Sequence, residues 1–573
     1  MSKFIGAMDN YTPASSIGEN DHKQYKWASV KTDTGMSLGA IEELIVQISF
    51  QLVRTKTKPE VIQKYRSLLT RLKNGLDSEN SMAYKQYIIL LVKMCAHTRD
   101  IVSGKGEYTL AYFMLEVLYD LFPEIAFIVM RHFVLLEVDG VAAHPYGSWK
   151  DIKYFMKISG TNESIIQLVN EQLRKDEEDM KNGKSVSLVG KWVPREKSKF
   201  GSMYEALACD YYSHFIFNTK EETHHKAITL CKMMYRKLLS SLNKHLDTTQ
   251  VKQCSGDWAK IVPEKVTSVT LFRNKKAFLN VDKKGNQKHT TPDRTKCAIN
   301  FNQFLKRAKE GKVEVKGKRI GLNEFTQEAL DLISKRKIKN AYRDEIYMLN
   351  LQWKSNSAQN GALENFVPLV DVSGSMYGDP LHAAIALGIR IAEKSKLGKR
   401  VLTFTSTPKW VNLEGKNNFV DMVEEVKNAA WGMDTNFAAA LKLILAVIKE
   451  QKMSAQEVKE ISLVVLSDMM INQADKNFDS MFDMIENEYA RVGMSICGEP
   501  YSPPHIVFWN LRSTNGFPSL SKQKNTSMLS GFSPVLLNLF CEKGVACLED
   551  FTSWALLKES LNNPRYDVFD RVM

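Results

Sequence analysis

The sequence predicts an α + α/β protein: an N-terminal helical array, α-solenoid-like in character, followed by a doubly wound parallel sheet. Two patterns support this class. From residue 37 to about residue 241, apolar side chains recur at steps of three and four, which places them on one face of a helix. After residue 365, short apolar runs alternate with amphipathic segments, which indicates strands of a parallel sheet connected by helices.

The helical array is predicted from several separate segments. Residues 41–52 show the first buried helix face, and no strict repeat period follows, so no named repeat class is supported. Residues 110–138 are strongly apolar, but Glu116 and Asp120 interrupt them. We therefore predict two buried helices there, with a kink near Pro123, and no membrane span. The other segments predicted as helices are 68–76, 82–94, 162–173 and 227–242.

The α/β part is predicted as alternating strands and helices. Each predicted strand is a short apolar run, and each predicted helix has one apolar face. The predicted strands are 366–370, 401–405, 461–466 and 506–511. The predicted helices are 381–394, 437–449, 478–489 and 534–540.

Composition divides the chain into four segments. Residues 1–35 are polar, mixed in charge and without a clear period, so we expect a flexible N-terminal segment. Residues 36–350 are predicted to form the helical domain with a basic C-terminal part, and residues 366–573 the α/β domain. Between them, residues 351–365 include the polar run SNSAQNG, which is typical of a linker.

The overall composition argues against several classes of protein. With 44% hydrophobic and 25% charged residues, the chain lies in the globular range, which argues against global disorder and against a fibrous repeat. Eight cysteines without a CxxC pair are too few for a disulfide scaffold. The first residues lack the apolar core of a secretory signal. We therefore expect a cytoplasmic protein or, as the alternative, a virion component.

The net charge of +13 is concentrated in one region. Residues 251–350 contain 23 Lys and Arg against 11 Asp and Glu, so this window holds nearly the whole basic excess. Phenylalanines such as Phe272 and Phe304 are interleaved with the basic clusters. This pattern is typical of binding to RNA or another polyanion. The alternatives are an acidic protein partner and a solvated surface with the rings in the core. The candidate nucleic-acid-binding residues are Arg273, Lys275, Lys276, Lys306, Arg307, Lys309, Lys316, Lys318 and Arg319.

Oxygen-bearing side chains follow the predicted strands where a parallel sheet binds its ligands. Asp371, Ser373 and Ser375 come directly after the first strand, Thr435 precedes a predicted helix, and Asp468 follows a buried strand. Because the carboxyl ends of parallel strands meet at one edge of a sheet, we expect these side chains to lie together. Hard oxygen ligands suit Mg²⁺, with Mn²⁺ as the alternative, and do not suit zinc. The opposing interpretation is that these residues only cap helices.

This constellation resembles the metal-ion-dependent adhesion site of von Willebrand factor A modules, which have a doubly wound, Rossmann-like fold. The resemblance implies that Ser373, Ser375 and Thr435 bind the metal through their hydroxyl groups. It implies that Asp371 and Asp468 act directly or through water. It also implies that the sixth metal position is left for an acidic group of a partner protein.

Several short stretches resemble a family of uncharacterised function, found in plants, fungi and giant viruses, that couples a long N-terminal region to an A module. The resemblance covers most of residues 40–560 and implies the same order of domains, without an established activity. The architecture is also similar to that of the Ro ribonucleoprotein autoantigen, in which a ring of helical repeats binds small and misfolded RNA. The matching stretches are RD at 99–100, GKGE at 104–107, YGSWKD at 146–151, KWVPRE at 191–196, WAKI at 258–261, FWNL at 508–511 and SGFS at 530–533.

Enzyme signatures are missing from the chain. It has no GxxxxGK[ST] phosphate loop, no HExxH pair and no GxSxG nucleophile turn, so no catalytic residue is assigned. We predict a non-enzymatic binding or scaffold protein. It would hold RNA or another polyanion through the helical domain and an acidic protein partner through Mg²⁺, without binding a membrane. The alternatives are a structural assembly or virion component, and a metal-dependent hydrolase.

Overall fold

A computed structural model shows a helix-rich N-terminal region followed by a mixed sheet, which confirms the predicted α + α/β class. It describes residues 15–17, 23–28, 37–159, 163–217, 223–336, 343–404, 407–429, 437–469, 481–514, 516–541 and 552–573. None of the helices within these residues is both long and apolar enough to cross a membrane.

The N-terminal region is built from helices that bury one apolar face each. In the first helix, Ile41, Leu44, Ile45 and Ile48 are at most 2% exposed, as their spacing predicts. The helices are α1 Leu38–Gln51, α2 Glu60–Asn74, α3 Ser81–Arg99, α4 Tyr108–Leu121, α5 Pro123–Val134, α6 Ile152–Ser159, α7 Glu163–Lys181, α8 Val189–Trp192, α9 Gly201–Tyr211, α10 His214–Phe217, α11 His224–Leu246, α12 Thr249–Ser255, α13 Ser268–Phe278, α14 Pro292–Lys309, α15 Leu322–Arg336 and α16 Arg343–Ser357. Two hairpins accompany them: β1 Ser15–Ile17 with β2 Lys23–Tyr25, and β3 Leu136–Val138 with β4 Val141–Ala143.

The predicted break near Pro123 is confirmed. Helix α4 ends at Leu121, and α5 begins at Pro123. Proline is tolerated at the first position of a helix because its missing N–H would have no partner within the helix there. The apolar stretch therefore folds back on itself, and the two helices are in contact.

The C-terminal part is built on a six-stranded sheet. Its strands are β5 Phe366–Asp371, β6 Arg400–Phe404, β7 Lys409–Asn412, β8 Ser462–Ser467, β9 His505–Asn510 and β10 Thr526–Ser530. Across the sheet they are ordered β10-β9-β8-β5-β6-β7. Neighbouring strands are parallel except β7, which pairs antiparallel with β6 at the edge. The predicted parallel sheet is therefore present, with an added antiparallel edge strand that the sequence analysis did not identify.

Helices cover both faces of this sheet. They are α17 Asp379–Lys394, α18 Phe419–Asn428, α19 Phe437–Glu450, α20 Ala455–Lys459, α21 Met481–Ile496, α22 Asn538–Cys541 and α23 Ser553–Leu561. Along β8, Val464 and Leu466 belong to the apolar cluster that contains α17. Leu463 and Val465 belong to the cluster that contains α19. Alternate residues of a strand point to opposite faces, so β8 is buried on both, as its continuous apolar run predicts.

The helical region and the sheet share one apolar core. A continuous cluster of buried side chains runs from Ile41 in α1 through the helices to Leu369 and Val465 in the sheet. It ends at Tyr566 and Phe569, close to the C-terminus. Helix α1 also contacts β10 and α23 directly. The two parts of the chain are therefore packed against each other.

The segment expected to be a linker, 351–365, is helical as far as Ser357, where α16 ends. Two of its asparagines are buried rather than solvated: Asn356 is 1% exposed and Asn360 is 4% exposed. Both accept hydrogen bonds from the guanidinium of Arg390, which is itself fully buried, at 2.9 and 2.7 Å. The polar residues of this segment therefore serve as buried hydrogen-bond partners. The polar sequence SNSAQNG alone does not distinguish such a segment from a flexible linker.

The described part of residues 1–35 is extended but attached. Tyr25 pairs with Phe517 through both backbone N–H···O bonds, each 3.1 Å long. The ring of Trp27 packs edge-on against the Phe517 ring, with centroids 5.0 Å apart. These contacts attach residues 25–27 to the sheet part, and the flexibility expected of the segment stays a prediction. Apart from residues 15–17 and 23–28, the segment lies outside the described residues.

The eight elements predicted in the α/β part are all present, with ends shifted by a few residues. The predicted helix at 534–540 begins as a 3-10 turn, Pro534–Leu537, and continues as α22. Strands β7 and β10 and helices α18, α20 and α23 were not predicted. Strand β10 has the sequence TSMLS, and all five of its residues are buried. Its Thr and Ser residues made it too polar to be predicted as a buried strand.

Candidate functional site

The carboxyl ends of β5 and β8 lie side by side at one edge of the sheet. The two strands pair in parallel with Val370 opposite Leu466, so Asp371 and Ser467 are the next residues along neighbouring strands. Loops at this edge are where open α/β sheets bind their ligands. Asp371 and Asp468, which are 97 positions apart in sequence, are brought together here because both follow these strand ends.

The loop after β5 turns its polar side chains towards one another. Asp371 accepts a hydrogen bond on Oδ1 from the backbone N–H of Ser373, at 2.9 Å. The hydroxyl oxygens of Ser373 and Ser375 are 3.1 Å apart. A 3-10 turn over Gly374–Met376 continues the loop, and the buried side chain of Met376 anchors it in the core. The structure therefore brings together the three predicted ligands of this loop.

The loop after β8 adds a second carboxylate and a hydroxyl. Ser467 donates a hydrogen bond from Oγ to Oδ2 of Asp371, at 2.6 Å, and accepts one from the backbone N–H of Met469. Asp468 is fully buried. Met469 has a φ of 62°, a left-handed conformation that is unfavourable for a side chain of its size. Such backbone strain is concentrated at functional sites, where the surroundings enforce it.

Burial raises the pKa of Asp371 to about 6. Hydrogen bonds from Ser373 and Ser467 act in the opposite direction, and the negative charge of Asp468 raises the pKa further. Two buried carboxylates that repel each other are costly to keep ionised unless a proton or a cation compensates them. We call Asp371, Ser373, Ser375 and Asp468 together the strand-end site. Its two buried carboxylates give it the electrostatic character of a cation site.

The donor set fits Mg²⁺ or Mn²⁺, because every side chain offers a carboxylate or hydroxyl oxygen. Within the described residues there is no cluster of three or more His, Cys, Asp or Glu side chains. The strand-end site has two carboxylates, so its remaining protein ligands would be hydroxyls, those of Ser373 and Ser375. The fifth predicted ligand, Thr435, falls in 430–436, outside the described residues.

The helical region covers part of the same sheet edge. Asn510, at the end of β9, donates to the backbone carbonyl of Phe50 at 3.1 Å, and Lys105 donates to Ser530 Oγ, at the end of β10, at 2.6 Å. Tyr377, which follows the loop that carries Asp371, Ser373 and Ser375, is 84% exposed. The ends of β9 and β10 are therefore closed off by the helical region, whereas Tyr377, two residues after Ser375, is exposed.

The aromatic rings of the basic region lie in the core. Phe278, Phe301, Phe304 and Phe325 are at most 1% exposed, and Phe272 is 9% exposed. Stacking of these rings on nucleic-acid bases would require them at the surface. The structure therefore supports the alternative given for the rings: they are core residues, and their interleaving with lysines follows from the amphipathic helices that carry both.

Five of the nine candidate nucleic-acid-binding residues pair with acidic side chains. Arg273 contacts Glu324 at 2.9 Å, and Lys309 contacts Asp344 at 2.9 Å. The other pairs are Lys275 with Glu328, Lys276 with Glu345, and Arg307 with Glu264. Lys275 is also buried, at 6% exposure. Much of the positive charge in this region is therefore compensated within the fold.

The remaining four basic residues are Lys306, Lys316, Lys318 and Arg319, all exposed. Lys306, Lys316 and Lys318 make no ion pair within the described part of the chain. Arg319 donates from Nη1 to the backbone carbonyl of Ile101. Of the nine candidates, these four are therefore the exposed cations without an ion pair among the described residues.

Two residues at these sites were not predicted. Ser467 lies directly before Asp468, as the last residue of β8. Because the ends of β5 and β8 were predicted to lie together, a hydroxyl at the end of β8 was the signal that could have identified it. Arg54 lies against the loop that carries Arg319, with its Nη1 3.2 Å from Asn323 Oδ1. Arg54 and Lys318 are 264 positions apart in the sequence, and no sequence pattern links them.

The chain is similar to proteins of uncharacterised function. Residues 162–358 match the family described as "Domain of unknown function (DUF2828)", and residues 365–563 match "Domain of unknown function (DUF7788)". The chain is also 28% identical to "Uncharacterized protein L728" of Acanthamoeba polyphaga mimivirus over 496 residues, which cover 82% of this chain and 78% of that protein. These similarities support the resemblance to an uncharacterised family that includes a giant-virus protein.

Proposed function

We propose that the protein is a non-enzymatic binding protein that captures an acidic group of a partner protein through Mg²⁺, or Mn²⁺, held at the strand-end site. The observation that carries this proposal is the buried pair Asp371 and Asp468, whose mutual repulsion a divalent cation would relieve. The C-terminal part would then be a von Willebrand factor A module, as its strand-end residues suggest.

Each side chain would have one task in this proposal. Ser373 and Ser375 would bind the cation through their hydroxyls, and Thr435 would complete the set from the neighbouring loop. Asp371 and Asp468 would balance its charge, directly or through water. A hexacoordinate Mg²⁺ with these ligands keeps a position for an outside oxygen, and a carboxylate is the side chain that satisfies both its geometry and its charge.

The test of this proposal is a thermal-shift titration with MgCl₂. We expect Mg²⁺ to raise the melting temperature of the wild-type protein, because a ligand that binds only the folded state stabilises it. Asp371→Ala should abolish the shift. Asp421→Ala, which removes a carboxylate from the first turn of α18, serves as the matched control and should leave it intact. An unchanged shift in Asp371→Ala would remove the site assignment.

The exposed cations favour a second function, binding of RNA or another polyanion by the basic region. The supporting observation is that Lys306, Lys316 and Lys318 are exposed and make no ion pair within the described residues. With the phenylalanines buried, such binding would proceed through phosphates and would be insensitive to sequence. It should weaken steeply with salt, because each phosphate contact releases a counterion. If single-stranded RNA is not retained even at low ionic strength, this second function is wrong.

A further inference from the structure

A groove of about 390 Å³ lies between the helical region and the sheet part. Three segments form most of its wall: residues 101–106 after α3, residues 318–324 around the start of α15, and residues 532–535 after β10. Binding sites for small molecules in proteins typically have volumes of about 300–1,000 Å³. The groove is thus large enough for a ligand of nucleotide size.

The loop that carries Lys318 and Arg319 is held rigidly by α16. The side-chain amide of Asn356 donates to the backbone carbonyls of Gly317, Lys318 and Ile320, at 3.1–3.3 Å. Gln359 donates to the carbonyl of Lys318 as well, at 3.0 Å. All of these bonds use the backbone of the loop, so the side chain of Lys318 projects from a fixed base. The side chain of Arg319 is held as well, since its Nη1 donates to the backbone carbonyl of Ile101 across the groove wall.

Packing adds to this rigidity. A Cβ atom on Gly317 would lie 1.9 Å from the backbone oxygen of Gln352, so only glycine allows the loop to approach α16 this closely. Asn356 in turn accepts a hydrogen bond from the buried guanidinium of Arg390, at 2.9 Å. The loop is therefore ordered by the fold itself, and a ligand that bound there would not have to order it.

The groove has a basic rim. Lys318 is exposed and makes no ion pair within the described residues, and Arg319 is exposed beside it. Arg54 also lines the groove, over the Phe532 ring at 4.6 Å from its centroid, and its guanidinium is paired with Glu107 at 2.9 Å. Glu324 is the acidic residue among the described lining residues, and it is shared with Arg273. Lys318 and Arg319 are therefore the exposed cations of the groove that make no ion pair within the described residues.

The interior of the groove is largely apolar. Val269 and Val535 are half-buried in its wall, and Leu322 and Phe532 are almost fully buried behind them. An apolar interior with a few charged groups at one end suits a ligand that joins a flat apolar ring to a charged group. Arg and Lys are the side chains that recognise phosphate, by forked hydrogen bonds and by point charge respectively.

We propose that this groove binds a nucleotide-sized ligand, with Lys318 and Arg319 contacting its phosphate and the wall around Val269 contacting its base. The site needs no divalent cation and does not depend on the strand-end site. The same chemistry is offered by a free nucleotide and by the terminal nucleotide of an RNA.

The test is isothermal titration calorimetry at low ionic strength in EDTA, with ADP, adenosine and inorganic phosphate as probes. We expect ADP to bind at least tenfold more tightly than adenosine or phosphate alone. Lys318→Glu should weaken ADP binding at least tenfold. Lys283→Glu, the same charge change on an exposed turn outside the groove, should change it less than twofold. Equal effects of the two variants would overturn the proposal.

A second variant tests the apolar wall. Val269→Trp fills the interior from a half-buried position in α13 and should weaken ADP binding while leaving phosphate binding unchanged. An unchanged affinity for ADP would show that only the rim charges bind, and would overturn the assignment of a nucleotide-sized site. Asp371→Ala should bind ADP like the wild-type protein, which separates this site from the strand-end site.

A third arm distinguishes the two sources of ligand. A ten-nucleotide uridine RNA with a 5′-phosphate is compared with the same RNA without it. Tight binding of ADP identifies a free nucleotide as the ligand. Binding of the phosphorylated RNA alone, lost in Lys318→Glu, identifies an RNA end and supports the proposal with that source. Binding of none of the probes would overturn it.

Discussion

The orientation of Asp371 depends on Ser467. Ser467 Oγ holds one carboxylate oxygen and the Ser373 backbone N–H holds the other, so neither oxygen is left to rotate. Groups that orient metal ligands in this way typically change metal affinity by about 10–100-fold when removed. Under the proposed function, Ser467→Ala should therefore weaken Mg²⁺ binding by about tenfold, measured by calorimetric titration.

The matched control is Ser462→Ala, on the same strand. Ser462 is also fully buried, but its hydroxyl has no hydrogen-bond partner within the described residues. The control should keep the Mg²⁺ affinity of the wild-type protein. Equal Mg²⁺ affinities in Ser467→Ala and wild type, at unchanged folding stability, would mean that the serine does not position Asp371.

Lys105 makes stability depend on pH. Its Nζ donates to the backbone carbonyls of Ser49 and Leu52 and to Ser530 Oγ, and burial lowers its pKa to about 7 from 10.5. Between these two values the unfolded chain binds more protons than the folded one, so the free energy of unfolding rises with pH. We expect a gain of about 2 kcal/mol from pH 7 to pH 9, measured by urea unfolding.

Two variants isolate this effect. Lys105→Met removes the titrating group, so the rise in unfolding free energy attributed to it should disappear. Lys157→Met, at an exposed position in α6, should retain the wild-type rise. If wild type and Lys105→Met respond equally to pH, the buried ammonium does not contribute to the pH dependence.

At the scale of elements, the close packing of α17 on β5 sets the position of the Asp371 loop. A Cβ atom on Gly388 would lie 2.4 Å from Cγ2 of Val370, the residue before Asp371. Alanine is favoured over glycine in a helix by about 1 kcal/mol, whereas overpacking a core costs about 1–3 kcal/mol. We expect the clash to dominate, so that Gly388→Ala lowers the urea midpoint.

Gly39→Ala is the control for helix propensity alone. Gly39 lies in α1 with no atom within 4 Å of its would-be Cβ. This substitution should leave the urea midpoint unchanged or raise it slightly. A Gly388→Ala protein at least as stable as the Gly39→Ala protein would contradict the close packing of α17 on β5.

At the scale of the whole molecule, a buried ion pair links the C-terminal segment, at Arg565, to the helical region, at Asp100. Arg565 contacts the carboxylate of Asp100 through Nε at 2.8 Å and Nη2 at 2.9 Å, and Tyr566 donates to the same group. Asp100 is fully buried. Removing one partner of a buried ion pair leaves an uncompensated charge and costs about 3–5 kcal/mol, so Arg565→Met should destabilise the protein by that order in urea unfolding.

Arg491→Met provides the comparison at the surface. Arg491 contacts Glu488 at 2.7 Å, but its side chain is 71% exposed. An exposed pair of this kind contributes at most about 1 kcal/mol. Similar losses for the two variants would contradict a buried fastening between the C-terminal segment and the helical region.

The predictability of the fold differed between kinds of element. Strands such as β8 were identified because they are buried on both faces and therefore form a continuous apolar run in the sequence. Surface segments do not have such runs. The polar strand β10 was not identified, and the polar end of α16 was assigned to a linker. In both, hydrogen bonds within the core satisfy the polar groups, as Arg390 does for Asn356, and composition does not record such partners.

The sequence by itself determined what is local or periodic: the helical and strand-helix halves, the break at Pro123, and the loop that carries Asp371, Ser373 and Ser375. Only the tertiary structure decided which distant residues meet. It brought Ser467 to Asp371, covered the ends of β9 and β10, and placed Arg54 and Lys318 in the wall of the same groove. The physical reason is that local patterns depend on one chain segment, whereas burial and ion pairing depend on how separate segments pack.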